Sequence, residues 1–311
     1  MRLRGALWGW AAITAIYIGV LVAVDRGRFA VSDLAGLGEI LAVLMALVLL
    51  SFVIRFARWH WLLCRRGHRV PLVVGFAAYL SGLAFTASPG KVGELVRIRY
   101  YARLGVQADT VVSSFIFERL MDLLTLGLIS APIALTAPGY SAGLLLIAVV
   151  FAFVFILSHV GGIALAVVSW LGRRGHIRAG AAVEALGRGL IETRLLLRPT
   201  PIAVALVYGL VAWGLQSCGF LLVLQHLDVS VPVVDAAAIL PAAMLIGAAS
   251  MLPGGIGATE AAVIVLLATY AVPVDIGTTV AVVIRIATLW FAILVGMIAI
   301  TVLEARDCKS D

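Results

Sequence analysis

Pro89-Gly90-Lys91-Val92-Gly93-Glu94 interrupts one apolar run of this chain, and 164 positions later Pro253-Gly254-Gly255-Ile256-Gly257, with Glu260 close behind, interrupts another. Proline lacks the N–H that continues a helix and glycine accepts left-handed backbone, so each copy reads as a turn between two helical pieces. The flanking runs are rich in small residues and too short to cross a bilayer and return in regular helix. In a membrane, matched Gly/Pro breaks in two halves of a chain point to a transport site.

Composition puts both breaks in a bilayer. Of 311 residues 63% are hydrophobic and 13% charged, with mean hydropathy +1.13; soluble domains are about 45–50% apolar. There is room for six to eight spans and no polar stretch long enough for a separate catalytic domain. The net charge is +7, and 21 of the 23 basic residues are arginine. Positive-inside topology produces such a surplus by itself, so no nucleic-acid partner is expected. Cys64, Cys218 and Cys308 lack CxxC spacing and the five histidines lack HExxH spacing, so neither a disulfide framework nor a metal is expected. No nucleotide-binding motif is present, and no cofactor is expected. Arg2 and Arg4 precede an apolar run, 6–24, that is too long for a signal-peptide core and reads as a retained first span.

Runs of spanning length fall at 6–24, 37–54, 110–135, 141–158, 201–226 and 277–303, and the broken segments 72–104 and 236–271 read as re-entrant hairpins. With the N-terminus inside, 19 Lys and Arg lie on the cytoplasmic side against Arg26 and Arg28 outside. The fold class predicted is an all-α polytopic membrane protein with about six spans and two hairpins. It is one membrane domain, 1–311, built as an inverted-topology repeat of 1–138 and 139–311, with both termini cytoplasmic in an inner membrane. Arg119 and Arg285, 166 apart, repeat nearly the offset of the two breaks. Segment 173–198 sets Val183, Leu186, Leu190 and Leu195 among six Arg, the pattern of an interfacial helix; a solvated loop is the alternative.

A broken helix in lipid leaves backbone groups that only protein, water or ligand can satisfy. Gly90, Gly93, Gly254, Gly255 and Gly257 would let the backbone approach a ligand, and the half-helix after each break would aim its N–H groups inward, where an anion such as a lipid phosphate is the natural guest. Tight helix packing is the competing use of the same glycines. Lys91 would add a point charge or snorkel to the interface. Glu94 and Glu260 suit helix caps and would equally hold a cation. Glu118 and Asp122, four apart, share a helix face where two carboxylates repel unless a base intervenes; Arg119, Lys91, Arg97 and Arg285 are the candidates. Arg285, deep in the last span, is expected to face a cavity or to pair with Glu118 or Asp122. Arg55, Arg58, Trp59 and Trp61 read as an interface anchor at the end of the second span.

The runs RFARWHWLL (Arg55–Leu63), SPGKVGE (Ser88–Glu94), ERLMDL (Glu118–Leu123) and LPGGIGATEAA (Leu252–Ala262), with the Arg285 helix, resemble the flippase-like transmembrane domain of lysylphosphatidylglycerol synthases over about 1–303. The resemblance implies functional positions at Lys91, Glu94, Glu118, Arg119, Asp122, Gly254, Gly257, Glu260 and Arg285. In the full-length synthases it also implies lipid movement by this domain and aminoacyl transfer by a separate C-terminal domain. This chain ends eight residues after Leu303, so aminoacyl transfer is not expected of it. The expected function is a flippase for an anionic lipid (an aminoacyl-phospholipid, a glycolipid or a polyprenyl-phosphate sugar). Arg119, Arg285 and Lys91 would hold the phosphate, and Glu118, Asp122 and Glu260 would balance charge or accept a cationic head group. A separate lipid-modifying enzyme is a conceivable partner. The alternatives are a membrane glycosyltransferase or other lipid-modifying enzyme, and a scaffold recruiting a soluble synthase through 173–198.

Overall fold

The computed structural model describes residues 38–133, 152, 156 and 180–307. The expected spans 6–24 and 141–158 and the first part of 173–198 lie essentially outside those residues. The chain divides into two compact units, 1–43 and 44–311, and the contacts below lie within the second.

Among the described residues every regular element is helical. Helix α1 runs Gly38–Arg65 and α2 Leu72–Ser81, followed by a 3-10 turn Gly82–Phe85. The first break forms Pro89–Val96, and α3 (Arg97–Arg103) and α4 (Ala108–Ser130) follow it. Then come α5 (Gly180–Thr193), α6 (Pro199–His226) and α7 (Val233–Ala249). The second break opens with Pro253–Gly255 and leads into α8 (Ala258–Ala268). Helix α9 (Val274–Arg285) continues through a π-helical turn, Ile286–Trp290, into α10 (Phe291–Asp307).

Three of these helices are long and apolar enough to cross a membrane: Gly38–Arg65, Pro199–His226 and the continuous Val274–Arg306, with mean hydropathies of 2.7, 1.7 and 2.5. The two 28-residue helices extend about 42 Å at 1.5 Å per residue, more than the roughly 30 Å hydrocarbon layer. The outward residues of all three, among them Leu49, Leu50, Val53, Val207, Leu210, Val211, Leu294 and Ile298, are exposed and apolar. A surface of this kind is stable against lipid rather than water. The protein is an α-helical membrane protein. Helix α4 has the length, 23 residues, yet holds Glu118, Arg119 and Asp122.

The order of elements recurs. Helices α2 and α7 begin 161 positions apart, the breaks are 164 apart and α4 and α9 begin 166 apart. The two segments expected as hairpins are broken helical segments whose halves are in contact: α7 packs against α8, and α2 against α3.

The packing places the breaks centrally. Helix α10 lies on α2 and on the turn 82–85, α9 lies on α8, and α7 lies on α4, α6 and α8. Gly296 of α10 comes so close to the turn that a Cβ there would lie 2.1 Å from the Ala84 nitrogen. Phe56, Trp59, Tyr79 and Tyr101 pack with tilted rings between α1, α2 and α3, and the Tyr101 hydroxyl donates to the Gly75 carbonyl at 2.9 Å. Within 173–198 the chain is helical over 180–193, and α5 packs along α4: Gly189 abuts Val112, and Arg66 joins Glu192 to Ser113. Leu195, expected on the apolar stripe, is exposed, and Leu196 is buried in its place.

Candidate functional site

In the first break Ser88 is extended, Pro89 takes the first turn position, and Gly90 and Lys91 adopt left-handed backbone at φ 60° and 57°. Ser88 holds the turn from both of its oxygens: its carbonyl accepts from the Lys91 N–H at 2.9 Å and its Oγ from the Gly93 N–H at 2.7 Å. In the second break Gly254, Gly255 and Gly257 all have positive φ. A non-glycine residue at φ > 0 is strained, which is why three glycines stand there and why Lys91 is unusual. The two breaks touch. A Cβ on Gly254 would meet Ala87 Cα at 3.3 Å and Leu289 at 3.4 Å, and Gly90 faces Met251.

Beside the first break lies a buried charge cluster drawn from four elements. Helix α1 supplies Arg55 and Arg58, α3 supplies Arg97, the break supplies Glu94, and α4 supplies Glu118, Arg119 and Asp122. Nη2 of Arg58 donates to Glu118 Oε1 at 3.0 Å and to Asp122 Oδ1 at 2.9 Å, and so bridges the two carboxylates that share a face of α4. Arg55 reaches Asp122 Oδ2 at 2.9 Å while its guanidinium sits 4.4 Å from the Trp213 ring of α6. Arg97 donates to Glu94 Oε2 at 2.7 Å and to Glu118 Oε2 at 3.3 Å, flanked by the rings of Trp59 and Tyr79. Tyr79 and Thr86 hydroxyls donate to Glu118 and Glu94 at 2.7 and 3.0 Å. Arg58, Glu94, Arg97 and Glu118 are at most 1% exposed. Charges so deeply buried persist only when paired and hydrogen-bonded.

Arg119 differs from the other three arginines. It lies 3.3–3.8 Å from Asp122, Glu118 and Glu94 and its side chain is 20% exposed; its buried Nε, like Nε and Nη1 of Arg58, has no hydrogen-bond partner. Lys91, half-buried, is within Coulombic range of Arg119, Glu94 and Asp122. The cluster holds four guanidiniums against three carboxylates, so it carries a positive surplus even before Lys91 is counted.

The second break has a smaller counterpart. Arg285 donates from Nε to Glu260 Oε1 at 2.8 Å and from Nη2 to the Gly254 carbonyl at 2.6 Å, and Glu260 Oε2 caps α8 by accepting from the Gly257 N–H at 2.8 Å. Glu94 and Arg119 are 25 positions apart, as are Glu260 and Arg285, and the two pairs are offset by the same 166.

The structure thus gathers Gly90, Lys91, Gly93, Glu94, Glu118, Arg119 and Asp122 at the first break, and Gly254, Gly255, Gly257, Glu260 and Arg285 at the second. Arg285 pairs with Glu260, not with the expected Glu118 or Asp122, because the turn at Gly254–Gly257 folds that carboxylate against α9. Arg55, Arg58 and Trp59, expected at the interface, are buried in the cluster, and Trp61 alone of that group sits at its edge, with Arg65 over its ring. Arg55, Arg58 and Arg97, counted among the nineteen cytoplasmic bases, are buried in ion pairs. The N–H end of α8 is occupied by Glu260, and α3 after the first break is only 7 residues long, so side chains, more than helix ends, make this site.

At the rim, Glu304 of α10 accepts from the Tyr100 hydroxyl at 3.0 Å and from Arg99 at 3.3 Å, tying α3 to α10. Burial and then the Glu304 carboxylate push the Tyr100 hydroxyl up to about 12, which keeps it a donor. The arginine of this clasp is 53% exposed. Glu304→Ala is therefore expected to cost about 1 kcal/mol or less, read as a small shift of the melting midpoint in detergent.

Residues 7–296 match the model of the family described as "Lysylphosphatidylglycerol synthase TM region". A search of curated proteins returned no match.

Proposed function

We propose that this chain, which belongs to the lysylphosphatidylglycerol synthase TM-region family, moves an anionic lipid between leaflets by alternating access. Membership ties it to lipid chemistry in a membrane; the transport reading goes further. One observation carries it: Arg119, the partly exposed arginine of the cluster with a side chain 20% exposed, stands near Lys91 in a buried cluster of net positive charge where two broken helices meet. A lipid phosphate bound there would accept from the exposed part of the Arg119 guanidinium, and its acyl chains would remain in the bilayer. The recurring element order supports an inverted repeat, 1–138 and 139–311, whose halves rock about the touching breaks. In this reading both breaks are re-entrant, both termini are cytoplasmic, and the membrane is the inner one, with the base count setting the orientation. Enzymatic use of Glu118 and Asp122 is the weaker reading, because a general acid or base needs a carboxylate that can exchange a proton with substrate, and both are held by arginines.

The test is translocation of fluorescent phosphatidylglycerol in liposomes containing the purified chain. Wild type is expected to equilibrate the lipid across leaflets without altering it, and Arg119→Gln to slow this at least about tenfold, the loss of one charged hydrogen bond to the ligand. Equal rates in wild type and empty vesicles would overturn the transport reading; an unchanged rate in Arg119→Gln would overturn the site.

A further inference from the structure

We infer that the seam between α1 and α6 binds water near the middle of the membrane, and that this wet seam is the route by which a head group leaves the charge cluster; the route rests on the lipid-transport reading above, the water site does not. Helix α1 presents Ser51 and Arg55, four residues apart, and α6 presents Trp213, Gln216 and Ser217, so each set lies on one face of its helix. The two faces meet. Gln216 Nε2 donates to Ser51 Oγ at 3.3 Å, and the Arg55 guanidinium lies 4.4 Å from the centre of the Trp213 ring while Arg55 donates to Asp122. A stripe of polar side chains therefore runs from the cluster along the seam. Ser51 is the fourteenth of the 28 residues of α1 and Gln216 the eighteenth of the 28 of α6, so their contact lies near the centre of both spans.

A dry seam does not account for this stripe. All five residues are at most 7% exposed, and lipid supplies no hydrogen bonds. Among the described residues the Trp213 indole N–H and the Ser217 hydroxyl find no partner. Ser217 is the sharper case, because a helical serine or threonine can return its hydroxyl to the carbonyl three or four residues back. Ser51, Thr125 and Thr288 do so at 2.7 Å and Ser130 at 2.5 Å. Ser217 leaves that bond unmade, which is unfavourable in a membrane unless a small hydrogen-bonding molecule takes its place. Water fits both groups: it accepts from the indole, exchanges a bond with the hydroxyl, and needs a space of only about 15 Å³ by probe volume. A cation does not, since the indole offers it no acceptor and the Arg55 guanidinium repels it.

Hydroxyl radicals from X-ray radiolysis form where water is bound and oxidise the side chains they touch, so oxidation of Trp213 in the purified chain, read by mass spectrometry, tests the site. Trp213 is expected to be oxidised in wild type and at least about fivefold less in the double variant Gln216→Leu with Ser217→Ala, which keeps the indole and removes the other partners of the water. No oxidation in wild type, or equal oxidation in both, would overturn the water site. The melting midpoint in detergent gives a second reading by its sign. Ser217→Ala is expected to lower it, because the hydroxyl holds water; a rise would mean a stranded hydroxyl has been relieved and would also overturn the site. In liposomes the double variant, checked for folding by its midpoint, is expected to pass fluorescent phosphatidylglycerol at least about tenfold more slowly than wild type. An unchanged rate would overturn the route. Wild type no faster than empty vesicles would overturn the transport reading and the route with it, while oxidation of Trp213 would still uphold the water site.

Discussion

Arg58→Ala is expected to lower the melting midpoint of the purified chain in detergent by on the order of 10 °C, from a loss of about 3–5 kcal/mol. Arg58 is 1% exposed and one of its nitrogens bridges Glu118 and Asp122. Without it the two carboxylates face each other across one helical turn with their nearest common cation gone. The penalty comes from stranding charge, not from losing a favourable bond. The variant Arg58→Met with Asp122→Leu removes a base and an acid together and is expected to cost less than the two single changes combined. A double-mutant cycle on the melting midpoints measures that coupling. Strict additivity would mean the bridge contributes nothing.

Gly296→Ala is expected to be nearly as damaging, although it adds one methyl group. The new Cβ would lie 2.1 Å from the Ala84 nitrogen, 2.7 Å from the Leu83 carbonyl carbon and 2.8 Å from the Ala84 Cα, all of them backbone. No rotamer can relieve such an overlap, so α10 must retreat from the turn by roughly 1 Å, and overpacking of this kind costs about 1–3 kcal/mol or more. The control is Gly214→Ala in α6, where nothing lies within 4 Å of the added atom. It is expected to leave the midpoint unchanged or raise it slightly, since alanine is the better helix former. If the two variants melt alike, α10 does not press on the turn as described.

Much of this architecture was legible in the order of residues, and the exceptions have physical causes. The runs 201–226 and 277–303 lie within 199–226 and 274–307, because the apolar residues that face lipid run almost the whole length of these helices. Hydropathy predicts the second span only to 54 while α1 runs to Arg65, since it ends a span at its first arginine whether that arginine faces water or a buried acid. That boundary is what hid Arg55 and Arg58 from the site. A usable signal existed: Glu118 and Asp122 on one face demanded bases, and Arg55 and Arg58 stand three apart, the spacing that places both on one face of a neighbouring helix. The pairing of Arg285 was less accessible. Its equal spacing from Glu260, matching Glu94 and Arg119, was there to be counted, but proximity across the second break depends on the left-handed turn at Gly254 and Gly255, whose course the letters do not state. The close approach at Gly296 left no trace, because a glycine inside a helix has the same appearance whether it meets a neighbour or open space.

The π turn at Ile286–Trp290 has a consequence for how this protein can vary. Such a turn holds one residue more than an α-helix would place in the same rise, and each added residue advances the later ones by about 100° around the axis. Arg285, just before it, is aimed at Gly254 and Glu260; Gly296, after it, is aimed at Ala84. The two aims are out of phase in an uninterrupted helix. No exchange of one amino acid for another can restore that phase: losing a single codon here would swing the whole C-terminal helix a quarter turn and more, so length in this stretch is held under tighter constraint than the identity of any of its letters.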